Sequence, residues 1–239
     1  MIKKILIFIL LAVVGYSLVD VFSYIPFGEH RDTVGDFYLQ QSPETLKVAN
    51  TVTSIVVNFR GFDTLGEVTV LFLAALGLSS IMYRRKRKGE KDVRAKKPSS
   101  RILQVGAQII FPLVVVLGAY VFIHGHLTPG GGFQGGAIIA TASLLMLITY
   151  RKFKVNHNTI SWIESIAGVA FVSIGMVGLL KGMSFLENFL PTGELNSLLS
   201  GGVIGIIYVA VGFKVAAELT GVIDTVLLNN RPDSNNENN

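Results

Sequence analysis

The apolar positions of this chain fall neither in strict alternation nor at the three-and-four spacing of a half-buried helix; they gather in six long runs broken by polar segments. The runs lie at about 5–25, 64–83, 102–123, 133–150, 160–181 and 198–228, most of them close to the ~20 residues that a helix needs to cross the bilayer hydrocarbon. Only a helix satisfies its own backbone N–H and C=O groups there. The pattern therefore predicts an all-α membrane protein of about six transmembrane helices. The fourth run is short and begins inside the Gly-rich segment before it. The sixth is long and should tilt or emerge from the bilayer.

One segment between the first two runs has a different rhythm. Leu46, Ala49, Val52, Val56 and Phe59 recur at spacings of three and four, as on one face of a helix. Ser42-Pro43-Glu44 in front reads as a helix start: a capping Ser, Pro at the first helical position and an acid facing the positive helix end. Gly61 stops the pattern. This predicts an outer amphipathic helix that lies at the interface or docks on a partner.

Polar stretches divide the chain further. RRKRKGEKDVRAKKPSSR (Arg84–Arg101) has no apolar periodicity and reads as a basic cytoplasmic linker. It separates a two-helix membrane domain, 1–83, from a four-helix membrane domain, 102–228, as if two small membrane proteins were fused end to end. No internal repeat relates the halves. The tail NNRPDSNNENN (229–239) holds no apolar residue and is expected to be disordered.

Charge then orients the spans. Of the 21 Lys and Arg residues, sixteen fall on one side if both termini are inside: Lys3, Lys4, ten in the linker, Arg151, Lys152, Lys154 and Arg231. Only Arg31, Lys47, Arg60 and Lys181 fall outside, and Lys214 lies within the sixth run. Positive charge accumulates on the cytoplasmic side, so the reading is N-in and C-in. The net charge of +5 is thus a topological signal, and nucleic acid is not an expected partner, because no aromatic residue interleaves the basic run. Lys3-Lys4 followed by an apolar run resembles a signal peptide, but the run is long and lacks a small-x-small cleavage site, so it is read as a retained helix.

Candidate chemistry is sparse. There is no cysteine, and four scattered histidines make no haem or metal set. No nucleophile–base constellation and no nucleotide motif occurs, so no catalytic residue, metal or cofactor is assigned to the chain. Ionisable residues inside the runs are costly and therefore candidates for an ion path. Glu67 stands about one turn inside the second run, with Asp63 a turn before it and Arg60 close enough to pair with either acid. Asp63 also suits a helix cap. Lys214 and Glu218, four apart on one face of the sixth run, suit either a charged relay or a snorkelling lysine paired to its neighbour; the boundary-marking lysine is the favoured reading. Glu164 and Lys181 near the ends of the fifth run read as interfacial.

The loop HGHLTPGGGFQGG (His124–Gly136) lacks the ending of a phosphate-binding loop. Its Pro129, Gly130, Gly131, Gly132, Phe133, Gly135 and Gly136 suit close backbone packing, for which another subunit is the expected partner. His124 and His126, two apart, would share a face on an extended segment; hydrogen-bonded loop histidines are the preferred reading over a metal pair. Gly201-x-x-x-Gly205 reads as a helix-packing motif.

Two segments carry a resemblance. VNFRGFDTLGEVTVLFLAALG (Val57–Gly77) resembles the C-terminal end of the A subunit of Mrp-type multisubunit Na+/H+ antiporters, an element that also occurs as a separate E subunit in membrane-bound hydrogenases. HGHLTPGGGFQGGAI (His124–Ile138), with its four surrounding spans, resembles the Mrp B subunit, the MnhB family, and its hydrogenase counterpart. Together the resemblances cover residues 1–83 and 101–228. They imply a non-catalytic subunit, without a cofactor of its own, in a large complex that exchanges Na+ for H+ in the cell membrane. The implied partners are other antiporter subunits, redox subunits such as those of a hydrogenase, membrane lipid, Na+ and H+. They imply an ion-path role for Glu67 and, beside it, Asp63. The fused first half favours a redox-linked complex over a free-standing antiporter. The alternatives are a stand-alone small transporter and a membrane anchor with no ion path; the absence of inverted repeats speaks against the former.

Overall fold

The computed structural model describes residues 2–24, 33–82, 99–150, 153–181 and 183–229. Among these there are helices and connecting turns and no strand. The helices are α1 (Ile2–Ser23), α2 (Val34–Thr45), α3 (Thr51–Ser54), α4 (Gly61–Ile81), α5 (Arg101–Ile123), α6 (Gly132–Thr149), α7 (His157–Leu180) and α8 (Val203–Asn229), with a π-helical segment, Ile55–Phe59, leading from α3 toward α4. Six of them, α1 and α4 to α8, are long and apolar enough to cross a membrane, and they match the six apolar runs. The chain is a multi-pass membrane protein. The linker, apart from residues 99–101, and the tail beyond Asn229 lie outside the described residues.

Two compact units are formed, Met1–Phe37 and Tyr38–Asn239. The first holds α1 and the beginning of α2, where Asp36 accepts a hydrogen bond from the Thr33 backbone N–H at 2.8 Å.

In the second unit α8 is the central helix. It packs against α4, α5, α6 and α7. Ile204, Ile207, Tyr208, Val211 and Val215 supply its share of the apolar core, joined by Val57, Val68, Phe171 and Leu186 from the surrounding elements. Local signals place the surrounding helices. Ser100 caps α5 by accepting from the Leu103 N–H at 3.3 Å, and Asn156 caps α7 by accepting from the Asn158 and Thr159 N–H groups. Small residues let α6 approach closely: a methyl group at Gly135 would stand 2.6 Å from the Gly118 carbonyl of α5, and one at Gly136 would stand 2.7 Å from the Gly212 carbonyl of α8.

Two local expectations are corrected. Ser42-Pro43-Glu44 does not start a helix; it sits in the last turns of α2, where the Ser42 hydroxyl donates to the Tyr38 carbonyl at 2.7 Å and also meets Ser54. The start signal is Asn50, whose side chain accepts from the Thr53 N–H, and the chain reaches it through Lys47 at φ +55°. Of the expected stripe Leu46 is buried but precedes the helix, Val56 and Phe59 are half-buried, and Ala49 and Val52 face outward; the buried apolar positions here are Leu46, Val48 and Val57, so the stripe is corrected. Gly201 does not belong to a helical packing motif either. It precedes α8 with φ +77°, followed by Gly202 at +56°, so both serve a turn that only glycine takes without strain.

Candidate functional site

Lys214 lies near the middle of α8, about 16 Å from its first residue and about 22 Å from its last at ~1.5 Å per residue. The central position of α8 buries Lys214 and Glu218 to 7% and 3% exposure. The Lys214 Nζ donates to Glu218 Oε2 at 3.0 Å and stands 3.6 Å from Glu164 Oε1 of α7. The Phe72 ring of α4 covers the ammonium, 5.2 Å from Nζ to its centroid. The reading of Lys214 as a snorkelling boundary residue is therefore overturned: the ammonium is held among helices by two carboxylates and an aromatic face. Glu164 likewise belongs to this cluster and not to a bare interface, because α7 packs along α8 and brings it beside Lys214.

A second polar contact between α7 and α8 lies toward the C-terminal end of α8. Asp224, 2% exposed, has its Oδ2 2.9 Å from Nε2 of His157, whose side chain is 58% exposed. His157 is the first residue of α7, placed by the Asn156 cap. Between the two pairs lies a cavity of about 230 Å³, bounded by α4, α7 and α8. His157, Ser161 and Glu164 line it from one face of α7, and Glu218 and Thr225 line it from α8. Glu218 Oε1 is buried and makes no hydrogen bond.

At the other end of α4, Arg60 pairs with Asp63, Nε to Oδ2 at 2.7 Å. Asp63 occupies the first helical turn, where its charge suits the helix dipole, while the N-cap position is held by Arg60. Glu67 is exposed, one helical turn beyond Asp63 and on the same face as Asp63 and Val70. Thus Glu67 and Asp63 are neighbours, Lys214 and Glu218 are a separate pair deeper in the bundle, and this chain does not bring the two sets into contact.

The Gly-rich loop is the meeting point of both halves of the sequence. Asn50 Nδ2 donates to the Gly125 and Thr128 carbonyls at 2.9 and 3.0 Å, and its backbone N–H donates to the His126 carbonyl at 3.1 Å. Thr53 Oγ1 donates to the same Gly125 carbonyl at 2.6 Å. The close packing expected of Pro129 to Gly136 is present at the glycines. Methyl groups at Gly130 and Gly132 would stand 2.8 Å from the Val121 and Tyr208 carbonyls. The elements approached are α5 and α8 of this chain, so the expected packing partner, a different polypeptide, is corrected at these positions to the chain's own helices. His124 Nδ1 lies 3.2 Å from the Tyr120 carbonyl, and its ring stacks on that of Tyr120. His126 departs from the expected hydrogen-bonded histidine: it is 1% exposed and neither ring nitrogen is hydrogen-bonded. Burial pushes its pKa below the ordinary histidine value, against the opposing influence of the nearby Leu198 and Ser197 backbone.

The sequence reading passed over Asp224 and His157 and gave Glu164 a bland role. An acid inside each of two apolar runs was the available signal. Which basic partner each acid meets depends on how α7 and α8 pack.

Known proteins place this architecture. Residues 102–221 match the model of a domain related to the MnhB subunit of Na+/H+ antiporters, and residues 4–99 match that of MbhE, the E subunit of MBH. An uncharacterised protein of Methanocaldococcus jannaschii is 29% identical over 197 residues, covering 72% of this chain and 75% of that protein. A probable K+/H+ antiporter A/B subunit of Rhizobium meliloti is 28% identical over 139 residues, covering 49% of this chain and only 14% of that much longer protein. Among solved structures, a chain of the membrane-bound sulfane sulfur reductase, an archaeal respiratory membrane complex, superposes with a TM-score of 0.83 at 41% identity, covering 95% of this chain and 99% of that one. A chain of the Mrp complex from Dietzia shares the fold, with a TM-score of 0.73 at 23% identity, covering 97% of this chain and 26% of that one. The chain thus belongs to the family of membrane proteins related to the MnhB subunit of Na+/H+ antiporters, joined to an N-terminal half of the MbhE type.

Proposed function

We propose that this chain is a non-catalytic subunit of an Mrp-type cation/proton antiporter module within a redox-linked respiratory membrane complex, and that it contributes to Na+/H+ translocation as well as assembly. The observation that carries the reading is the buried cluster of Lys214, Glu218 and Glu164 near the middle of the spans. Three charged side chains at that depth are expensive to hold and serve no packing need that apolar residues could not meet. The fused arrangement supports the redox-linked setting, since a respiratory complex holds a chain of the same extent. Glu67 suits the same role from another side. Its carboxylate sits on an exposed face of α4, where a neighbouring subunit of the complex would meet it.

The test is exchange in inside-out membrane vesicles from cells whose own copy carries Glu218→Gln or Glu67→Gln. A glutamine at position 218 can still accept from Lys214, and Glu164 remains beside the ammonium, so the complex should assemble at its normal level on native gels. Cation-dependent dissipation of an imposed pH gradient should fall by at least about tenfold, the scale of ~1.4 kcal/mol or more in the transport barrier. Wild-type exchange by both assembled variants would reduce the chain to a scaffold or anchor. Migration of the wild-type chain alone, with exchange intact, would favour a stand-alone transporter.

A further inference from the structure

His126 is a buried titratable group that the proposed transport role leaves unused. Its ring is enclosed, and neither nitrogen makes a hydrogen bond. Its backbone is held from the first half of the chain, by the Asn50 N–H on its carbonyl. Its ring lies against the start of α8: methyl groups at Gly201 and Gly205 would touch its Cδ2 and Cε1 at 3.9 and 3.8 Å. The backbone of Ile123, at the end of α5, and of Ser197 and Leu198 also approaches the ring.

The segment that supplies Ser197 and Leu198 can move as a unit. Residues 193–200 form a loop closed at its base, where the Gly201 N–H donates to the Thr192 carbonyl at 2.9 Å. Its bends fall on Gly193, Asn196, Gly201 and Gly202, all at positive φ and of the residue types that adopt such angles most readily. Leu195, Leu198 and Leu199 are exposed, so little apolar burial is lost when the loop lifts. Within the loop only Ser200, beside the Gly201 hinge, is buried, and its hydroxyl also lacks a partner.

We propose that His126 is an acid-sensitive latch: its neutral ring holds the 193–200 loop closed, and a proton on the ring opens it. A charged ring in the closed structure would be shut away from water, and among the described residues His126 makes no ion pair. Its titratable neighbours do not help. His124, on the same segment, would oppose a second positive charge. Tyr208 of α8 packs its ring on Gly125, and Glu194 of the loop is exposed. The approaching backbone favours the charged ring, but burial outweighs it and pushes the pKa below the ordinary histidine value. Once the loop lifts, the ring meets water and titrates near 6.5. Closure is therefore fully stable above about pH 6.5 and weakens as pH falls below it. With the orientation read from the positive charge, the loop lies outside, so external acidity opens it. Its hinge leads directly into α8, the helix that carries Lys214 and Glu218.

The test needs no transport assay, so its failure would leave the proposed transport role standing. The chain has no cysteine, and single cysteines can therefore report on the loop. Ser200→Cys puts a thiol at the buried hinge, and Leu199→Cys puts one on the exposed side of the same loop. The full-length chain in lipid nanodiscs is treated with a maleimide between about pH 8 and pH 5. The labelling rate at position 200 is divided by that at 199, which removes the reagent's own pH dependence. With His126 intact the ratio should be flat above about pH 6.5 and rise below it, by up to roughly tenfold per unit, the limit for one proton. His126→Leu should make the ratio independent of pH, and His124→Gln should leave the rise in place. A ratio that stays flat to the acid end with His126 intact overturns the latch, whatever the variants do. So does a rise that survives His126→Leu, and one that vanishes only with His124→Gln would move the sensor to His124.

Discussion

Replacing Lys214 by Met separates the cost of breaking the buried cluster from its value. Met fills much of the lysine stem's volume but removes the ammonium that holds Glu218 at 3.0 Å and Glu164 at 3.6 Å. Glu218 then has both oxygens buried without a partner, since Oε1 has none already. Removing one member of a buried pair costs about 3–5 kcal/mol, because the remaining charge must be neutralised or stay uncompensated. For a chain of this length that is a midpoint loss of the order of 10 °C, taking roughly 2–4 °C per kcal/mol. Removing both charges should recover most of it: the double variant Lys214→Met with Glu218→Met leaves an apolar contact between positions one turn apart on α8, and such replacements are often neutral or stabilising. Glu164, partly exposed, can turn toward the cavity. The assay is the thermal unfolding midpoint of the purified full-length chain in one detergent, for the wild type, both single variants and the double variant. A coupling well above ~1 kcal/mol is expected. Additive losses, with the double variant the least stable of the four, would refute the claim that the two charges stabilise each other inside the bundle.

Two further expectations test other parts of the fold. Gly132→Leu places a Cβ 2.8 Å from the Tyr208 carbonyl and 2.9 Å from the Val211 side chain, so α6 must lift from α8; a loss of about 1–3 kcal/mol or more is expected, read as a lower unfolding midpoint and reduced recovery of the complex, and a normal midpoint would show that the loop yields freely. His126 has a folded pKa depressed below its unfolded value near 6.5, so its neutral form costs nothing above that pH, and stability falls as pH drops below about 6.5, where the unfolded chain takes up the proton first. His126→Leu should flatten that part of the stability–pH curve, and an unchanged curve would place the proton uptake elsewhere.

The six spans were legible in the sequence because lipid imposes a strict local condition. A segment that crosses it must be apolar over its length and must close its own hydrogen bonds, and both demands are written residue by residue. The glycines from Gly130 to Gly136 were legible for a related reason, since a missing side chain announces a close approach. What they approach was not: the facing carbonyls come from Val121, before the loop, and from Tyr208 and Gly212, more than seventy positions after it. Ser42-Pro43-Glu44 is a strong local signal for a helix start, and tertiary contacts override it. Asn50 caps the helix while its amide also holds two carbonyls of the Gly-rich loop. The site shows the limit most clearly. Lys214 and Glu218 could be paired from their spacing alone, but whether that pair pointed to a boundary or into the bundle depended on α8 being surrounded. Glu164 and Asp224 carried no mark of their partners, because Lys214 and His157 reach them across α7 and α8, fifty and sixty-seven positions away. Local patterns record how a segment meets its solvent; which charges meet each other is decided only when the helices pack.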